Sequence, residues 1–207
     1  MIYYLTKKAA YFFFKIFYSL KVSGQENMPK KGPFVIVCNH VSNLDPILIG
    51  AVYKGRLSYV AKEELFKNRF IRWYYKKLSI FPIKRGLSDS AAMRGAIRRL
   101  KKGGGMVIFP EGTRSADDNI SEGKTGISVL SSITKAKVVP CYVKGTHRIM
   151  PRKTHHLNKG KVSLVFGEPF GPLRVGEGTK KADYYNFAQE VMSRIKALKE
   201  KACYGED

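Results

Sequence analysis

The sequence predicts an α/β fold with a mostly parallel central sheet flanked by helices. Two observations carry that expectation. Short apolar runs rich in β-branched residues alternate with longer segments of helical periodicity. Polar clusters then follow several of those runs directly, at the carboxyl ends of strands where open α/β sheets bind their ligands. A chain of 207 residues, 44 % of them hydrophobic, suits a single domain with a substantial core.

The elements follow in order. PFVIVC (33–38) reads as a buried strand between Gly-Pro and Asn-His. DPILIGAVYK (45–54) begins a helix, with Asp45 in the N-cap position and Pro46 in the first turn. LSYVA (57–61) is a strand, 63–78 a helix anchored by Phe66, Phe70, Trp73 and Leu78, and IFPI (80–83) a strand. Ser88 to Lys102 is a helix with a small apolar face and a basic one, ended by Gly103-Gly104-Gly105. MVIFP (106–110), VVPCYV (138–143) and VSLVFG (162–167) are strands, and 124–135 and 181–201 are helices. Pro140 lacks an N–H, which points to a bulge or a sheet edge there.

Charge and composition limit the partners. Lys and Arg number 38 against 16 Asp and Glu, a formal charge of +22. Nucleic acid and an anionic membrane surface are the two partner classes this implies. Twelve Phe and twelve Tyr exclude a disordered chain. Cys38, Cys141 and Cys203 lie far apart with no C-x-x-C pair, which excludes a disulfide scaffold or zinc ribbon and suits a reducing compartment. No metal-ligand cluster is evident, His155 and His156 being merely adjacent. There is no zinc finger, RNA-binding signature or helix-turn-helix, so no nucleic-acid partner is expected, and a basic nucleic-acid binder is the remote alternative.

The first segment, MIYYLTKKAAYFFFKIFYSLK, is too interrupted by lysines to span a bilayer. Wound as a helix, it places Ile2, Leu5, Ala9, Phe12, Phe13, Ile16, Phe17 and Leu20 on one face. Lys7, Lys8, Lys15, Ser19 and Lys21 share the other, with Tyr3, Tyr4, Tyr11 and Tyr18 on the polar side or its edges. That pattern predicts an in-plane membrane helix over 1–22, ahead of a single α/β domain over 23–207. The alternative is a surface helix whose apolar face caps the core.

Two clusters hold the residues best suited to chemistry. In Asn39-His40-Val41-Ser42-Asn43-Leu44-Asp45, a histidine follows a buried strand and a carboxylate follows it by five positions. A carboxylate on one imidazole nitrogen fixes the tautomer and leaves the other as a general base. Asp45 as a simple N-cap and His40 as a loop histidine is the competing reading. In Phe109-Pro110-Glu111-Gly112-Thr113-Arg114-Ser115, a strand end presents a carboxylate, a glycine, a hydroxyl and a guanidinium. Arginine suits bidentate phosphate recognition, while a local Glu111–Arg114 ion pair is the competing reading. Phe81-Pro82-Ile83-Lys84-Arg85 and Lys62 add cations at two more strand ends.

Asn-His-x-x-x-x-Asp, Phe-Pro-Ile-Lys-Arg, Phe-Pro-Glu-Gly-Thr-Arg-Ser and Val-Val-Pro, in that order, resemble the four motifs of glycerolipid acyltransferases. The closest resemblance is to the bacterial 1-acylglycerol-3-phosphate (lysophosphatidic acid) acyltransferases, over about residues 33–147. The resemblance implies acyl transfer from acyl-CoA or acyl-carrier protein to the sn-2 hydroxyl of 1-acylglycerol 3-phosphate, giving phosphatidic acid. No cofactor is implied beyond that acyl donor as co-substrate. It implies His40 as the general base, oriented by Asp45. It implies Glu111, Gly112, Thr113 and Arg114 as substrate-binding residues, with Arg85 and Lys62 as phosphate ligands. Lys84 stands where the family often has Asp or Asn. That extra cation leaves open another acceptor: glycerol 3-phosphate, another lysophospholipid or a lyso-aminolipid. The chain has no G-x-S-x-G elbow and no Cys/His pair, in keeping with direct attack on a thioester. The expected location is the cytoplasmic face of the cell membrane, as a peripheral or monotopic protein.

Overall fold

Every residue of Phe34–Cys38 (β2) is buried, because both faces of this strand are covered. Phe34, Ile36 and Cys38 point into one hydrophobic layer and Val35 and Val37 into the other. The computed structural model describes residues 1–83, 90–115, 119–152, 154 and 156–204. Lys84, Arg85 and His155 lie outside the described residues.

The elements run α1 (Ile2–Phe17), β1 (Lys21–Ser23), β2, α2 (Asp45–Val52), β3 (Leu57–Lys62), α3 (Arg69–Lys77) and β4 (Ile80–Ile83). Then come α4 (Ser90–Leu100), β5 (Gly105–Ile108), α5 (Gly126–Thr134), β6 (Lys137–Lys144), α6 (Thr146–Ile149), β7 (Ser163–Phe166) and α7 (Lys181–Tyr204). Among the described residues the strands form one sheet in the order β1-β7-β6-β2-β5-β3-β4. The pairings are parallel except β6–β7, so the sheet is mostly parallel, as expected. One layer of the core holds residues of α1 and α2, including Phe14, Leu48 and Ile49. The other holds residues of α4, α5 and α7, including Leu100, Ile127 and Val191.

Several elements differ from their sequence reading. The helix expected over 63–78 is split: Glu63–Phe66 is a 3-10 turn, and Asn68 then caps α3 by accepting from the Phe70 and Ile71 N–H groups. β1 has only three residues and pairs at the far edge, and the expected 22/23 boundary falls inside it. Pro140 lies in an interior strand, level with Val37 on β2. On the β7 side, pairing breaks at Pro140 between Val138↔Phe170 and Cys141↔Phe166, and its carbonyl accepts from Gly167 N–H. The missing N–H is tolerated because it falls at that break.

The N-terminal helix docks differently from its predicted wheel. Tyr3 and Phe14, with Tyr18 just beyond the helix, are buried against the domain. Leu57 N–H donates to the Tyr3 hydroxyl at 2.9 Å. Lys7 turns inward, donating to the Tyr53 and Gly55 carbonyls, and is no part of a solvent-facing polar stripe. Burial lowers its pKa. Leu5, Phe12, Ile16 and Phe17 are 55–69 % exposed and face away from the core. Among the described residues no helix is long and apolar enough to cross a membrane.

Candidate active site

Three adjacent parallel strands, β5, β2 and β6, end side by side. Their carboxyl ends lead to Glu111, His40 and Thr146, which is how residues distant in sequence converge. His40 Nδ1 lies 2.9 Å from Asp45 Oδ2. The Asp45 side chain is wholly buried and that of His40 is 19 % exposed. With Nδ1 committed to the carboxylate, Nε2 is the ring nitrogen free of protein partners among the described residues. The ring stacks on Phe109 at 4.0 Å between centroids and 20° between planes, which fixes its second rotational freedom.

Asp45 is not the N-cap expected from the sequence. Leu44 holds that position, and Asp45 is the first helical residue, followed by Pro46. Its carboxylate instead folds back on the loop before it. Oδ2 accepts from the Val41 and Ser42 N–H groups at 2.8 Å each, besides His40. Oδ1 accepts from the Thr146 hydroxyl at 2.6 Å. Four partners hold this buried carboxylate in one orientation.

Glu111 is buried and fully engaged. Oε1 accepts from His40 N–H at 3.2 Å, and Oε2 accepts from the Ser115 hydroxyl at 2.7 Å and Ser121 N–H at 3.4 Å. Ser115 N–H donates to the His40 carbonyl at 2.8 Å. The two loops are therefore cross-linked in both directions, and Glu111 holds the backbone of His40. Arg114, the residue next to Ser115, is half-buried and has neither an ion pair nor a hydrogen bond among the described residues. The Glu111–Arg114 pair does not form.

Gly112 adopts φ +74°, a left-handed turn that glycine alone takes without strain. The Lys124 side chain lies over it, within 2.9 Å of where a Cβ would stand. Thr113 is exposed on the same turn. Lys62 is exposed at the end of β3, on the same edge of the sheet but two strands from β2. The structure thus brings His40, Asp45, Glu111, Gly112, Thr113 and Arg114 together, with Lys62 at a distance along the edge.

Three contributors were not singled out by sequence. Thr146 has no local motif, since its role depends on the end of β6 lying beside α2. Lys124 is likewise brought in by the fold. Asn39 adjoins the histidine, but its role is to extend the β2–β6 ladder: its amide donates to the Val143 carbonyl at 3.0 Å and accepts from Val143 N–H at 2.8 Å. Burial pushes the neighbouring Cys38 thiol well up, and the Cys141 sulfur beside it adds to the shift. Cys38 is therefore a neutral core residue with no nucleophilic character. Among the described residues no group of three or more His, Cys, Asp or Glu is disposed to hold a metal ion.

An imidazole oriented in this way can accept a proton from a hydroxyl at Nε2, and a guanidinium on the adjoining loop can bind an anion. The class of protein is defined by the match of residues 19–144 to the acyltransferase family, to which the chain belongs. Over 184 residues it is 32 % identical to the 1-acyl-sn-glycerol-3-phosphate acyltransferase of Bacillus subtilis, covering 88 % of this chain and 89 % of that one. A chloroplastic 1-acyl-sn-glycerol-3-phosphate acyltransferase of Arabidopsis thaliana is also 32 % identical, over 74 % of this chain but only 44 % of its own length. The 1-acyl-sn-glycerophosphate acyltransferase of Thermotoga maritima superposes with a TM-score of 0.77 at 31 % identity, over 95 % of this chain and 79 % of that chain.

Proposed function

We propose that the protein transfers an acyl chain from a thioester, acyl-CoA or acyl-carrier protein, to the sn-2 hydroxyl of 1-acylglycerol 3-phosphate at a membrane surface. The observation that carries this reading is the 2.9 Å contact of His40 Nδ1 with the buried Asp45 carboxylate, which leaves Nε2 without a protein partner among the described residues. His40 Nε2 takes the proton of the acceptor hydroxyl as the oxygen attacks the thioester carbonyl. Asp45, pointed at Nδ1, stabilises the imidazolium that forms. The tetrahedral intermediate collapses, the C–S bond breaks, and the imidazolium returns its proton to the departing thiolate. No covalent acyl-enzyme is required, in keeping with the neutral buried Cys38.

Arg114 takes the acceptor phosphate in this scheme, on a loop tied to the His40 carbonyl through Ser115. Glu111 and Gly112 shape that loop, Lys124 adds a second cation, and Lys62, Lys84 and Arg85 serve as outer phosphate ligands. The exposed stripe Leu5, Phe12, Ile16 and Phe17 on α1 lies in the bilayer interface. The names of the relatives support this acceptor. The deciding experiment measures phosphatidic acid formed by purified protein from 1-acylglycerol 3-phosphate with each donor, with His40→Ala as control. His40-dependent product is the expected result. Turnover unaffected by His40→Ala overturns the mechanism, and turnover only with a different acceptor overturns the substrate.

A further inference from the structure

We propose that α3 is a second membrane-contacting element, seating Phe70 and Trp73 in the interface of an anionic bilayer beside α1. The proposal rests on the membrane reading of α1 given above.

The sequence of α3, RFIRWYYKK, holds five large apolar or aromatic residues, yet none of its residues is buried. Phe70 is 71 % exposed and Trp73 45 %. A helix of this composition in a soluble protein turns its rings into the core. Here the two rings pair with each other on the outside, 5.7 Å apart at 33°, and the Lys77 ammonium lies 5.9 Å from the Trp73 ring centre. Indole and ammonium together suit the headgroup layer, where one end of the side chain is apolar and the other wet. Arg69 lies one turn from Trp73 on the same side of the helix, whereas Arg72 donates to the Phe66 carbonyl at 3.0 Å; with a chain charge of +22, Arg69 and Lys77 beside the rings favour an anionic surface.

α3 meets α1 at one point. The Tyr74 and Thr6 hydroxyls lie 2.9 Å apart and join the two helices. Between them runs an open, mostly apolar groove of about 640 Å³, lined by Leu5, Ala9, Phe13 and Tyr74 among others. Leu5 and Ala9 belong to the outward stripe of α1, and Phe70 stands one turn from Tyr74. The stripe and the aromatic pair therefore form one continuous surface. One in-plane helix leaves a protein free to roll about that helix axis. Two contacts remove that freedom. Because α3 follows the carboxyl end of β3, the second contact lies toward the edge of the sheet that carries His40.

Trp73 is the only tryptophan in the chain, so the test needs no label. Full-length protein is mixed with phosphatidylglycerol vesicles, with and without brominated acyl chains, while flotation reports binding. The expected result is flotation, Trp73 emission moved to shorter wavelength, and quenching by the brominated chains. Phe70→Ser is expected to weaken vesicle partitioning by about tenfold. Neither Phe70 nor Trp73 is buried, so Phe70→Ser and Trp73→Ser should leave the circular dichroism melt unchanged. Flotation with unchanged Trp73 emission and no quenching overturns the proposal and leaves the α1 anchor standing. Failure to float overturns both. Variants that float normally but lose activity only with acyl-carrier protein overturn the proposal in favour of a protein-docking face.

Discussion

Thr146 donates a 2.6 Å hydrogen bond to Asp45 Oδ1 across 101 positions of sequence, and both side chains are fully buried. It is the donor on the oxygen that does not face His40, so it sets the plane of the carboxylate. Thr146→Val keeps the shape and removes the donor, leaving a buried carboxylate oxygen without its partner. The expected effect is a fall in kcat of roughly ten- to a hundredfold with little change in acceptor KM. Thr146→Ser restores most of the rate. A residue that merely packed would show the reverse ranking, since valine fills the space and serine does not.

Glu111 is the link between the two loops of the site. Glu111→Ala removes the acceptor of the His40 and Ser121 N–H groups at once and leaves the Ser115 hydroxyl with only the Asn119 carbonyl. A destabilisation of roughly 1–3 kcal/mol is expected, read as a lower Tm in thermal unfolding, together with a fall in kcat. Glu111→Gln keeps an acceptor oxygen and should recover much of the stability. If Glu111 held substrate alone, both variants would melt with wild type.

Arg114 has no ion pair or hydrogen bond among the described residues, so its removal strands none of them. Arg114→Ala is expected to leave Tm unchanged and to raise acceptor KM by about tenfold or more, with donor KM unaffected. Arg114→Lys restores charge but not the bidentate fork, so it rescues only part of the loss. Loss confined to the donor KM would assign the guanidinium to the other substrate.

The sheet was legible because β2, β5 and β6 are buried on both faces and must be almost wholly apolar. The His40–Asp45 pair was legible because its five-residue spacing is local. Its partners were not. Thr146 and Lys124 reach the site only through strand order, which periodicity does not encode. The wheel of α1 failed for a related reason. The wheel puts Tyr3 on the polar side or its edge, yet its hydroxyl accepts from Leu57 N–H, its ring lies 5.0 Å from the Arg56 guanidinium, and it is buried. Phe12, Ile16 and Phe17 were placed together correctly, but they turn away from the protein. Hydrophobicity shows which residues avoid water, and only the fold shows which of them the core takes and which it leaves exposed.

That distinction decides how α1 is tested. Deleting residues 1–20 removes Tyr3, Phe14 and Tyr18 from the core along with the outward stripe, so loss of membrane binding would be confounded with unfolding. Each buried aromatic removed costs about 3–5 kcal/mol. A cleaner variant changes Leu5, Phe12 and Ile16 to serine, touching only exposed positions. Its Tm should match wild type while vesicle flotation falls sharply. The control pair is Phe14→Ala, which should melt several degrees lower and still float at low temperature. If the triple serine variant floats as wild type does, α1 is a structural brace and the bilayer is met elsewhere on the molecule.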